Sequence, residues 1–313
     1  MAASIDREET WCTIESDPGI FTELIEMIGV KDVAVEELYD LDFRGNTSVP
    51  AEHILGLVFL FKWKDQADTV VPETDYPGVF FANQVVPNAC ATQALLSVLL
   101  NCDEEHVDIG PHLRDFKQFT ADMPPDLKGL TLTNATIIRN AHNSFRPPDT
   151  ALMLKHSKKG KAEDAYHYVA YLPILGRLWE IDGLKKGPIN RGECSQDTWI
   201  DLAAETLRER INKYTDSEFM FSLLAISRSP AVTLAERVSL LSQAGDSDGA
   251  VEASEQLKQW NEKRDKWRRE NIRRRHDYTS FIVNVLTELA NAGKLTDLLQ
   301  DAISKSGEGY IHH

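Results

Sequence analysis

All thirteen prolines of this 313-residue chain lie at or before Pro230. Proline removes a backbone donor and clashes with the preceding turn inside a helix, so its disappearance marks where long helices become possible. Before that point strand-like and helix-like segments alternate, and beyond it every stretch reads as helix or linker. The chain must therefore join a mixed α/β part to an all-helical part. The boundary falls near Ser227, giving residues 1–226 as one domain, 227–306 as a helical extension, and 307–313 as a tail or cloning scar.

In the first part, residues 58–61, 79–82, 166–172 and 178–181 are expected to be strands, and residues 21–28 and 89–101 helices. In the second part, residues 231–242 read as a helix, followed by a Gly-, Asp- and Ser-rich loop over 244–250. Residues 258–275 then carry nine Lys or Arg against Glu262, Asp265 and Glu270. This pattern reads as a solvated helix laced with i to i+4 ion pairs rather than as a nucleic-acid patch. Two amphipathic helices follow, one with Phe281, Leu286 and Leu289, the other with Leu295, Leu298 and Leu299, broken at Asn291-Ala292-Gly293. Their apolar faces must bury against the first domain or a partner.

Charge and composition exclude several classes of function. A formal net charge of -15 disfavours nucleic acid and suits a basic partner or a basic peptide tail. The longest apolar run, residues 54–61, stops at Lys62, far short of the roughly 20 residues of a membrane span. The first residues lack the blocks of a signal peptide, so cytoplasmic and nuclear residence is expected. Cys12, Cys90, Cys102 and Cys194 are scattered without metal-ligand or redox spacing, so no disulfide framework or zinc site is expected, and the thiol chemistry set out below needs neither a metal nor an organic cofactor.

Chemistry concentrates at two places. The segment Pro87-Asn88-Ala89-Cys90-Ala91-Thr92-Gln93 passes from an apolar run into a helix-favouring stretch, with Asn88 as the expected N-cap and Cys90 in the first turn. Unpaired N–H groups and the helix dipole stabilise a thiolate there, and thiolate is the attacking species. Gln84, six residues upstream, is placed to fold its amide toward the sulfur and, with the Cys90 N–H, to hold an oxyanion. The second place is a hairpin. If the expected strands around His167 and Asp182 turn at Leu175-Gly176 with Ile174 opposite Arg177, Asp182 falls opposite Val169 and becomes a diagonal neighbour of His167 on one face. Taken alone, each residue has an ordinary structural explanation. Together they match a nucleophile, a base and a group that orients the base.

At these residues the sequence resembles the ubiquitin carboxyl-terminal hydrolase family of cysteine proteases. The resemblance runs through Gln84, the block 88–94, His167, Trp179-Glu180-Ile181-Asp182-Gly183 and the N-terminal Trp11-Cys12-Thr13-Ile14-Glu15-Ser16-Asp17-Pro18-Gly19. It implies a papain-like α/β (α+β) fold, with a central sheet flanked by helices, a knotted backbone and a C-terminal all-helical extension. It further implies Cys90 as nucleophile, His167 as general base and acid, Asp182 as orienter and Gln84 in the oxyanion hole. A crossover loop from Ser144 to Ala165 would gate entry of the ubiquitin tail. The helical extension resembles that of the proteasome-associated member of the family. The partners it implies are ubiquitin, a ubiquitin receptor of the proteasome regulatory particle, and a chromatin-remodelling complex.

Overall fold

The computed structural model describes residues 10–43, 49–62, 70–103, 107–146, 166–213 and 221–308. Two compact units are present, the first containing the described residues up to Asn271 and the second those from Ile272 onward.

The first unit is built on a six-stranded antiparallel sheet. In chain order the strands are β1 (Val33–Leu38), β2 (Ile54–Lys62), β3 (Tyr166–Ile174), β4 (Arg177–Ile181), β5 (Ile189–Glu193) and β6 (Phe221–Arg228), and their spatial order is β1-β6-β2-β3-β4-β5. Side chains alternate across the sheet, and both faces are covered. Val35, Val58, Tyr168, Ala170, Leu172, Ile181 and Ile226 point into a core with helices α1 (Pro18–Ile28) and α2 (Cys90–Leu99). Leu57, Phe59, Phe61, Val169, Tyr171, Leu178 and Ala225 point into a second core filled by Trp199, Ile200, Ala203, Ala204 and Leu207. Three further helices, α3 (Gly110–Phe119), α4 (Pro125–Asn134) and α5 (Thr136–Asn143), lie between β2 and β3 in sequence, and α6 (Trp199–Asn212) supplies the second core. The fold is the α+β arrangement expected from the sequence.

Two local expectations require correction. Residues 79–82 are buried and extended but join no ladder. Side-chain amides of α2 and the residues just after it take the place of a neighbouring strand: Phe80 N–H donates to Asn101 Oδ1 at 2.7 Å, Asn101 Nδ2 donates to Phe80 O at 2.9 Å, and Gln93 Nε2 donates to Ala82 O at 2.7 Å. These bonds satisfy backbone groups that a neighbouring strand would otherwise pair. Likewise the loop expected over 244–250 is shorter, because α7 (Pro230–Gln243) is followed after one turn by α8 (Ser247–Arg275).

Helix α8 is also more than a solvated rod. Trp260, Arg264 and Asn271 are buried. Trp267 packs so closely on Gly19 that a Cβ there would lie 2.6 Å from the indole. Asn271 Nδ2 donates to Gly19 O and Glu23 Oε2, Arg264 pairs with Glu26, and Lys263 Nζ lies 2.7 Å from Glu36 Oε2. The charged composition hid a face that clamps α1, because stems of long cationic side chains cover apolar surface while their heads find carboxylates.

In the second unit, α9 (Thr279–Asn291) and α10 (Leu295–Glu308) are joined through Gly293 at φ +68, as the break in the sequence pattern implied. Phe281, Leu286, Leu298 and Leu299 are exposed, whereas Leu289 and Leu295 are half-buried. No described helix is long and apolar enough to cross a membrane.

Candidate active site

The hairpin of β3 and β4 turns on Leu175 and Gly176, with φ +51 and +76, the mirror-image turn whose twist matches that of paired strands. Its register runs from Ile174 opposite Arg177 to Ala170 opposite Ile181, so the next residue, Asp182, faces Val169. His167 Nε2 lies 2.7 Å from Asp182 Oδ1, with both side chains about 95% buried. A carboxylate only accepts, so Nε2 carries the proton and Nδ1 is the basic nitrogen. Asp182 Oδ1 also accepts from the Leu184 N–H at 2.9 Å. Burial alone would push the Asp182 carboxyl up. The hydrogen bond and charge of His167, the Leu184 N–H and the Arg210 charge outweigh it and hold the group below the ordinary carboxylate value.

Cys90 is the first residue of α2, entered through a single 3₁₀ turn at Pro87–Ala89. The helix has no side-chain cap, because Asn88 turns away and donates from Nδ2 to Trp11 O at 3.0 Å. The sulfur takes the place of a cap. Burial raises the Cys90 thiol above its usual value, while the N–H groups of Ala91 and Cys90 favour the thiolate and offset part of the rise. Position at a helix start therefore does not by itself ionise this cysteine. A base is needed; α2 packs on β3 through the face of Tyr168, Ala170 and Leu172, while His167 lies on the face of Val169 and Tyr171 at the start of that strand.

Gln84 ties these halves together. Its N–H donates to Gly183 O at 2.8 Å, next to Asp182, and its Nε2 donates to Val86 O at 3.1 Å and Pro87 O at 3.0 Å on the approach to Cys90. Asn83, which the sequence did not single out, donates from Nδ2 to Lys185 O at 2.7 Å and from its N–H to Pro125 O at 2.9 Å. Of the crossover segment from Ser144 to Ala165, residues 147–165 lie outside the described residues.

A second unforeseen element is the N-terminal strap. Trp11 Nε1 donates to Thr133 O, and Cys12 N–H donates to Asn143 Oδ1. His142, fully buried, donates from Nε2 to Cys12 O at 2.7 Å and accepts at Nδ1 from Thr92, one half-turn after Cys90. Acceptance at Nδ1 demands the neutral ring, and burial, outweighing the bond to Cys12 O that favours the charged form, lowers its pKa from the usual 6.5 to about 4. The folded state thus binds this proton less readily than the unfolded chain. The associated stability is fully present above pH 6.5 and is lost as the pH falls toward 4, by roughly 3 kcal/mol in all at about 1.4 kcal/mol per unit. Urea unfolding at pH 7.5 and pH 5 should show a steeper loss for the native chain than for His142→Gln. Equal losses would remove His142 as the cause.

The profile described as "Ubiquitin carboxyl-terminal hydrolase, family 1" matches residues 11–212, and one described as "Ubiquitin carboxyl-terminal hydrolases" matches residues 250–295. The chain belongs to the ubiquitin carboxyl-terminal hydrolase family. It is a cysteine-protease deubiquitinase of that family. It is 39% identical to the Dictyostelium discoideum ubiquitin carboxyl-terminal hydrolase isozyme L5, over 99% of this chain and 100% of that protein. It is 37% identical to ubh-4 of Caenorhabditis elegans, over 96% and 93% respectively. The structure of Trichinella spiralis UCH37 bound to ubiquitin vinyl methyl ester is similar, with a TM-score of 0.68 and 36% identity over 82% of this chain and 99% of that one. Family membership also accounts for the C-terminal match, which spans most of the clamp helix α8 and all of α9.

Proposed function

We propose that this hydrolase cleaves peptide or isopeptide bonds at the C-terminal glycine of ubiquitin, with Cys90 as nucleophile, His167 as base and acid, and Asp182 as orienter. The observation that carries the reading is the 2.7 Å contact of His167 Nε2 with Asp182 Oδ1, which leaves Nδ1 free to take the Cys90 proton. The thiolate attacks the glycine carbonyl, and the Cys90 N–H and Gln84 stabilise the oxyanion. Imidazolium then protonates the departing amine, and water, deprotonated by His167, hydrolyses the thioester. Both amide hydrogens of Gln84 are engaged by Val86 O and Pro87 O, so its part in the oxyanion hole requires exchange of one of these bonds as substrate enters. The complex of the Trichinella relative with ubiquitin vinyl methyl ester supports ubiquitin as the substrate.

The same reading assigns catalysis to residues 1–226, gating to Ser144 to Ala165, and recruitment to residues 227–306. The exposed Phe281, Leu286, Leu298 and Leu299 support, as part of this reading, a surface for a proteasome regulatory-particle ubiquitin receptor and for a chromatin-remodelling complex, with residence in cytoplasm and nucleus. A ubiquitin bearing a thiol-reactive C-terminal group should add once to the intact chain and not to Cys90→Ala. A chain that stays unlabelled both intact and without residues 227–313 would overturn the assignment.

A further inference from the structure

Beside the His167–Asp182 pair lies a group of buried charges that the reaction scheme leaves unused. Alternation along β4 puts Glu180 on the face of Asp182, and alternation along β3 puts Tyr171 on the face of His167. Glu180 is fully buried; its Oε2 accepts from Nε and Nη2 of Arg191, and its Oε1 accepts from Nη1 of Arg210 at 2.9 Å. Arg210, in the last turn of α6, also donates to the Tyr171 hydroxyl. Its guanidinium sits 4.7 Å from the centre of the Phe61 ring. Phe61 is paired with His167 across β2 and β3, and the two rings meet edge to face with centroids 5.9 Å apart.

One buried carboxylate needs one cation, yet Glu180 holds two. Arg210 also exerts a favourable field on Asp182, the next carboxylate on the same face of β4. We propose that Arg210 is a positioning residue for hydrolysis, balancing the Asp182 carboxylate and bracing Phe61 against His167 so that the imidazole keeps one orientation. The inference rests on the roles given to His167 and Asp182 above.

The test is steady-state hydrolysis of a fluorogenic ubiquitin amide by Arg210→Met, Arg210→Lys and the double variant Arg210→Met/Glu180→Gln, with His167→Ala alongside. The double variant removes the Glu180 oxygen charge that Arg210 satisfies, so it keeps the test open if Arg210→Met does not fold. In Arg210→Met, or in the double variant, kcat should fall by about 10- to 100-fold, the cost of a small misplacement of a catalytic group, with KM within about twofold. The acid limb of kcat/KM should also move to higher pH, because Asp182 keeps His167 and the Leu184 N–H but loses the favourable field of Arg210 and becomes easier to protonate. Arg210→Lys keeps the charge and should restore the acid limb more fully than kcat. Full kcat in the double variant would mean that Arg210 only neutralises Glu180 and would overturn the inference. Activity retained by His167→Ala would instead overturn the catalytic reading beneath it. An inactive His167→Ala beside fully active Arg210 variants would defeat the positioning role alone.

Discussion

Cys90→Ala is expected to reduce ubiquitin hydrolysis by at least about 10⁴-fold, to the level that substrate binding and oxyanion stabilisation alone sustain. The structure makes the loss unusually clean. Cys90 is only half-buried at the start of α2, and Ala91 and Ala94 already line that helix, so alanine there costs little packing and the fold should persist. Ubiquitin affinity should therefore survive while turnover vanishes. Asp182→Asn should behave differently. The Leu184 N–H points at Oδ1, so an asparagine must present its oxygen, not its amide, at that position, and the same oxygen still accepts from His167 Nε2. The tautomer is preserved and only the charge is lost. A fall of about tenfold at neutral pH is expected, not the ~10⁴ seen where an amide forces the wrong tautomer. Kinetics of both variants with a fluorogenic ubiquitin amide check the scheme, and turnover by Cys90→Ala above one hundredth of the native rate would defeat it.

The two halves of the site were legible to different degrees, for physical reasons. His167 and Asp182 could be brought together on paper because a two-residue hairpin fixes register, and a register once fixed determines every face. The placement of Cys90 at a helix start was legible from helix-favouring residues after Pro87. The sequence misled about the ionisation of Cys90, since burial is a property of the assembled core, and about the cap, since Asn88 reaches a carbonyl 77 residues away. Asn83, Asn101, His142 and Arg210 were invisible for the same reason. Each is a polar side chain whose partners come from distant segments, and no local period or spacing marks it. The α8 clamp was missed because nine cations in residues 258–275 mask Trp260 and Trp267, which carry the apolar face.

The largest stability effect of a substitution is expected at Gly129, which takes no part in the reaction but packs against the segment that carries Gln84. This residue lies inside α4, where alanine would ordinarily be favoured over glycine by about 1 kcal/mol. Here a Cβ would come 1.8 Å from Asn83 O, a backbone atom that cannot yield as a flexible side chain can. Asn83 is held on both sides, by its N–H to Pro125 O and its Nδ2 to Lys185 O, and the adjoining Gln84 N–H is bonded to Gly183 O. Relief of the clash must break part of this set, so sterics override propensity and Gly129→Ala should destabilise the protein by about 2–4 kcal/mol. The displaced segment carries Gln84 and borders Asp182, so kcat should also fall, by about 10-fold or more, in the protein that remains folded. Leu130→Ala, at an exposed position one residue along, should change stability by no more than about 0.5 kcal/mol and serves as the control. Urea unfolding and kcat measured on the same preparations decide the matter: a Gly129→Ala protein as stable as Leu130→Ala would show that α4 can move off Asn83 freely, and that the link from this helix to the catalytic turn is slack.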